Sequence, residues 1–84
     1  MVTVRVFGVM RLVLKTKEII LEEDVKTVEA ALKAVSTKYE NTTLKELKNC
    51  ILFVNGKNIV DLKRFRTKLK AGDEIQIFSA VGGG

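Results

Sequence analysis

The sequence predicts an α+β domain in which one main helix lies across one face of a mixed sheet. Three observations carry this. Val2, Val4 and Val6 alternate with Thr3, Arg5 and Phe7, the period-two pattern of a half-buried strand with β-branched residues on its inner side. Val28, Ala31, Leu32, Val35 and Tyr39 recur at helical spacing and form a single apolar stripe. Glu74 to Ser79 closes the chain as a strand, with Ile75 and Ile77 on one face and Glu74, Gln76 and Phe78 on the other. Strands, then a helix, then strands again is an α+β order.

Taken in order, the first strand has its valine face buried, turns Phe7 outward and ends at Gly8. A second strand covers Glu18 to Glu22 through Ile19, Ile20 and Leu21, and the connection before it is loosely specified. Thr27 caps the helix by accepting from an otherwise unpaired first-turn N–H, while Glu29 faces the positive end of the helix dipole. Asn41-Thr42-Thr43 breaks the helical pattern, and Leu44 to Asn49 is expected to add a short helical turn. Ile51 to Val54 and Lys57 to Val60 flank Asn55-Gly56, a pair suited to the positive φ angles of a type I′ hairpin turn. Cys50 at the hairpin's edge is expected to be a small packing residue. Leu69 precedes the turn signal Gly72-Asp73.

Composition excludes whole classes of chemistry. Eighty-four residues build one domain, and 46% hydrophobic with 30% charged is globular rather than disordered. With one cysteine and no histidine there is no material for a disulfide framework, a zinc site, a Cys–His pair or a serine triad. No apolar run reaches the ~20 residues of a membrane span. Arg5 and Arg11 interrupt the first strand-like segment, which rules it out as a signal-peptide core. The expectation is a reduced, cytoplasmic protein that binds or carries a group. The net charge of +5 concentrates in Lys63, Arg64, Arg66, Lys68 and Lys70. That cluster reads either as a solvated surface or as a patch for an acidic partner. Nucleic acid is disfavoured because the cluster holds a single aromatic, Phe65, and not the series of interleaved rings on which a single-strand binder stacks bases.

The domain is expected to occupy residues 1–79 and a glycine-rich tail residues 80–84. Glycine termini are often mere disorder, but here the tail follows a patterned strand with no polar spacer. Residues without Cβ can enter a narrow channel, and five residues reach about 17 Å at roughly 3.3–3.6 Å each. A free carboxylate is a poor electrophile, so a reacting terminus implies a separate ATP-using enzyme to activate it.

Leu69-Lys70-Ala71-Gly72-Asp73-Glu74-Ile75-Gln76-Ile77-Phe78, followed by Val81-Gly82-Gly83-Gly84, resembles the end of the molybdopterin synthase small subunit family of ubiquitin-like sulfur carriers. Val4-Arg5-Val6-Phe7-Gly8 with Arg11, and Thr27-Val28-Glu29-Ala30-Ala31-Leu32, resemble its start and its helix. The resemblance implies a β-grasp fold. It also implies that Gly84 is adenylated and thiocarboxylated, with Gly82 and Gly83 giving access, and that the tail donates sulfur to a pterin precursor for molybdenum or tungsten. The implied partners are a ubiquitin-activator-like adenylating enzyme and the large synthase subunit. The resemblance further implies that no cofactor is permanently bound, ATP being used by the activator, and that the chain is the sulfur-donating subunit of a sulfurtransferase complex rather than a catalyst by itself. In that fold the first and last strands lie parallel and adjacent, which brings Phe7 and Phe78 together on the uncovered face; with Arg11 and Val81 these are the expected partner-binding residues. Two departures stand out: Ser79-Ala80 occupies the place of the family's proline pair, and three glycines end the chain where two are usual. Carriers for thiamine synthesis or tRNA thiolation, modifiers conjugated to lysines, and a binding module with an idle tail remain alternatives.

Overall fold

A computed structural model of the chain describes residues 1–79. Strand β1 (Val2–Phe7) leads into helix α1 (Val9–Leu14), and β2 (Glu18–Leu21) returns beside β1. Helix α2 (Val28–Lys38) and the shorter α3 (Leu44–Lys48) precede the hairpin of β3 (Ile51–Val54) and β4 (Lys57–Asn58). Two 3₁₀ turns, Ile59–Asp61 and Arg64–Arg66, then lead to β5 (Glu74–Phe78). The strands form one mixed sheet in the order β2-β1-β5-β3-β4, with β1 and β5 parallel and the other pairs antiparallel. This is the β-grasp arrangement. Because β5 is hydrogen-bonded on both sides, its end is fixed by two neighbours rather than one.

The inner sheet face is built from the alternation seen in the sequence. Val4, Val6, Ile75, Ile77 and Leu21 are fully buried against Val28, Ala31, Leu32, Val35 and Leu47 of the helices. Each such Val, Leu or Ile contributes about 1.5–3 kcal/mol. A one-residue slip of β1 would turn its valines to solvent, so register and core specify each other. Thr27 caps α2 as expected, its Oγ1 accepting from the Ala30 N–H at 3.1 Å.

Helix α1 fills the connection before β2 that the sequence specifies only loosely. Val9-Met10-Arg11-Leu12-Val13-Leu14 is apolar at nearly every position and spans under two turns, so neither periodicity can show in it. It nonetheless buries Met10 and Leu14 and stops at Lys15, which takes a left-handed φ of 58°. Helix α3 is a full capping box. Thr43 Oγ1 accepts from the Glu46 N–H and Glu46 Oε1 accepts from the Thr43 N–H, at 3.1 and 3.0 Å. At the β3–β4 turn both Asn55 and Gly56 have positive φ, 52° and 85°, as the dipeptide suggested. The expected strand to Val60 stops at Asn58, whose Oδ1 accepts from the Val60 N–H at 2.9 Å and curls the backbone into a 3₁₀ turn.

The Gly72-Asp73 signal does more than turn the chain. Asp73 is buried, with Oδ2 accepting from the Lys70 N–H at 2.8 Å and Oδ1 from the Asn55 side-chain amide at 3.0 Å. Asn55 in turn accepts from the Glu74 N–H at 2.9 Å. One carboxylate thus ties the turn before β5 to the β3–β4 hairpin and sets where β5 begins. Burial works to raise the Asp73 carboxyl, but the Lys70 N–H, the Asn55 amide and the Lys70 charge outweigh it and hold it below its ordinary value. A carboxyl lowered in the folded state contributes stability above its unfolded pKa of about 3.9, and that stability is lost as pH falls through the lower folded value. Asp73→Ala is therefore expected to cost about 2–3 kcal/mol at neutral pH, lowering the melting temperature by about 10–20 °C. In thermal melts across pH, its deficit relative to wild type should shrink below about pH 4.

Candidate functional site

The sheet face opposite the helices divides into two halves. Toward the start of β5, Arg5 lies between Glu18 at 3.7 Å and Glu74 at 3.5 Å. These pairs are about half exposed, which limits each to under about 1 kcal/mol. Gln76 adds bonds to Glu74 and to the Gly56 N–H.

The half at the end of β5 is apolar. Parallel pairing sets Phe7 directly beside Phe78, and their rings stack with centroids 4.5 Å apart and planes within 7°. Phe53 meets Phe78 edge-on at 5.4 Å, and Ile51, the antiparallel partner of Phe78, is 45% exposed. Arg11 completes the pad from α1. Its Nε–H donates to the Val6 carbonyl at 2.9 Å and its guanidinium lies 5.5 Å from the Phe7 ring centroid. All three rings are only half-buried, and none lies beneath a helix. An apolar pad that the fold itself leaves uncovered is the usual mark of a partner surface.

The structure thus brings three of the expected partner-binding residues, Phe7, Arg11 and Phe78, into one patch. Val81, Gly82, Gly83 and Gly84 lie outside the described residues. Phe53 and Ile51 were missed from the sequence, although alternation around the inward Leu52 and Val54 places both of them outward. The last described residue, Ser79, stands where β5 leaves this pad, and its Oγ accepts from the Met10 N–H of α1 at 3.1 Å. Gly8, with φ +68°, permits that approach, since a Cβ there would sit 2.9 Å from Ser79 Oγ.

Among the described residues no group of three His, Cys, Asp or Glu side chains could hold a metal ion. No helix among them is long and apolar enough to cross a membrane. Cys50 is half-buried against the core, its Sγ 3.5 Å from the Glu46 carbonyl.

The basic segment runs past the start of α2, where Thr27 and Lys68 form an isolated bridge and the Val28 N–H donates to the Thr67 carbonyl at 3.0 Å. Lys63, Arg64, Arg66, Lys68 and Lys70 are all exposed, and among the described residues none of the five joins an ion pair. Phe65 within the segment is half-buried, with Lys48 Nζ 5.1 Å from its ring centroid, so that ring is not an open stacking platform. Arg64→Glu with Arg66→Glu should slow association with an acidic partner on the order of tenfold at low salt, leaving the melting temperature nearly unchanged. Stopped-flow association rates that ignore both the substitutions and the salt would leave the cluster as a solvated surface only.

A mixed five-stranded sheet with β5 at its centre and helices across one face defines a β-grasp, ubiquitin-like domain. The chain belongs to the ThiS family of ubiquitin-like sulfur carriers, whose family model matches residues 4–84. It is similar in structure to small archaeal modifier protein 1 from Methanosarcina acetivorans, with a TM-score of 0.83, 28% identity, and coverage of 99% of this chain and 95% of that one. It is also similar to the HVO 2177 protein of Haloferax volcanii, with TM-score 0.78, 26% identity, and coverage of 99% and 85%. A putative molybdopterin converting factor subunit 1 from Pyrococcus furiosus shares the fold at 21% identity and TM-score 0.74, covering 95% of this chain and 97% of that one. No curated protein matches the chain in sequence.

Proposed function

We propose that this chain is a sulfur carrier acting as the small subunit of molybdopterin synthase, with the Gly84 carboxylate as its reacting group. An adenylating enzyme related to ubiquitin activators joins that carboxylate to the AMP moiety of ATP, releasing pyrophosphate. Hydrosulfide, or a donor delivering its equivalent, attacks the acyl carbon and AMP leaves, so that the terminus becomes a thiocarboxylate. In the large synthase subunit the thiocarboxylate sulfur bonds to an electrophilic carbon of a pterin precursor. Water then releases the Gly84 carboxylate and the sulfur stays on the product as half of a metal-binding dithiolene. All of this takes place in the cytoplasm.

The observation that carries this reading is the placement of β5: held on both sides at the centre of the sheet, it ends at the Phe7–Phe78 pad, immediately before the glycine-rich tail in sequence. The described residues form a packed handle, and the chemistry is left to the tail and its partners. The resemblance of the Leu69 to Phe78 stretch to the molybdopterin synthase small subunit family supports the pterin branch. The 28% identity to an archaeal modifier favours a second reading, in which a lysine amine attacks the same acyl-adenylate and forms an isopeptide bond.

One experiment separates the two. Thiocarboxylated chain is mixed with the large synthase subunit and pterin precursor, and in parallel with host extract, activating enzyme and ATP. Loss of the sulfur to the pterin with few lysine conjugates is the result expected. Abundant conjugates, with no transfer to the pterin, would favour the modifier reading.

A further inference from the structure

We infer that Ser79 is a positioning residue that aims the tail, using helix α1 as its anchor. Helix α1 opens at Gly8, which has no side chain and so supplies no cap of its own. The missing acceptor comes from 69 residues away, as Ser79 Oγ takes the Met10 N–H at 3.1 Å. Gly8 is shaped for this contact twice over: its φ of +68° disfavours any side chain, and a Cβ would press on Ser79 Oγ at 2.9 Å. The chain contains no proline, so no ring fixes φ ahead of the tail. The serine clasp does that work by hydrogen bond, joining the end of the last strand to an element packed on β1.

The consequence follows from leverage. Over a span of about 17 Å, a tilt of about 10° at the root moves the far end by about 3 Å. That is as large as the separation of about 3–3.5 Å that reacting atoms must reach. Without the clasp the aromatic pad still docks, but a smaller fraction of free chains holds its terminus in line with the channel, and the apparent affinity of the full-length chain falls by that fraction. The inference rests on the proposed carrier role, and its test is chosen to fail separately from it.

Pyrophosphate exchange catalysed by the activating enzyme is measured for wild type, Ser79→Ala and Ser79→Thr. The pad's docking affinity is measured with unreactive chains ending at Val81. Ser79→Ala is expected to raise KM for the carrier about three- to tenfold with kcat retained, and Ser79→Thr, which keeps the hydroxyl, to restore it. Chains ending at Val81 should dock equally well whether or not they carry Ser79→Ala. Unchanged KM in Ser79→Ala would overturn the inference. So would an equal loss of docking in the Val81-ended chains, since Ser79 would then act on the pad and not on the tail. Should wild type not be adenylated at all, the carrier role fails, and NMR on the free chain decides the clasp. In Ser79→Ala, Met10 amide exchange should quicken about fivefold, the usual worth of a helix cap, and the backbone amide at position 79 should lose order. If neither changes, the clasp is absent.

Discussion

Gly83→Val is expected to cut adenylation of the tail at least a hundredfold while leaving the melting temperature where it was. The stability half follows from the core, which is assembled from residues between Val2 and Ile77. The activity half follows from what valine adds. A β-branched side chain would meet a channel that admits bare backbone, and a misplacement of about 1 Å at the reacting atoms already costs about a hundredfold. Deleting Gly84 supplies a control within the same chain. The new end is again a glycine, but the reach is shorter by about 3.5 Å. Retained activity would show the third glycine to be surplus, whereas a loss with the fold intact would show that it sets the register. Exchange of radiolabelled pyrophosphate into ATP, with the purified activating enzyme, reads both.

The second large effect is expected on the open face. Phe7→Ala together with Phe78→Ala should weaken binding to the activating enzyme or the large subunit roughly 10–100-fold, the range of buried aromatic anchors at interfaces. Because the rings are half-exposed in the free chain, the cost to folding should be smaller, of the order of the 0.5–1.5 kcal/mol of a stacked aromatic pair plus modest burial. Calorimetric titration and a thermal melt on the same preparation separate the two quantities. Binding that survives both substitutions would remove the pad from the interface.

Much of this geometry was legible in the residues. Alternation in β1 and β5 gave both faces at once, since inward Val4, Val6, Ile75 and Ile77 leave Phe7 and Phe78 outward. Only the parallel pairing of β1 with β5 was needed to make the rings meet, and the family resemblance supplied it. Thr27 and Asn55-Gly56 act locally, and the structure uses them as local chemistry dictates. The capping box of α3 was written in Thr43 and Glu46, three residues apart. Other features lay beyond local reading. Helix α1 is too short and too evenly apolar to show a period, and it forms because Met10 and Leu14 reach the core. The Asp73 lock depends on Asn55, 18 residues away, and the Ser79 clasp on Met10, 69 residues away. Such long-range hydrogen bonds have no signature in spacing.

The most direct measurement compares the native chain with one carrying a C-terminal amide on Gly84, each incubated with the activating enzyme, ATP and a sulfur donor. Intact-mass spectrometry after alkylation, with fragmentation to place the label, reports any sulfur gained. The expected result is exchange of one oxygen for sulfur at Gly84 in the native chain and none in the amidated chain. If the amidated chain gains sulfur to the same extent, the terminal carboxylate is not the reacting group, and the carrier mechanism proposed for this fold is wrong.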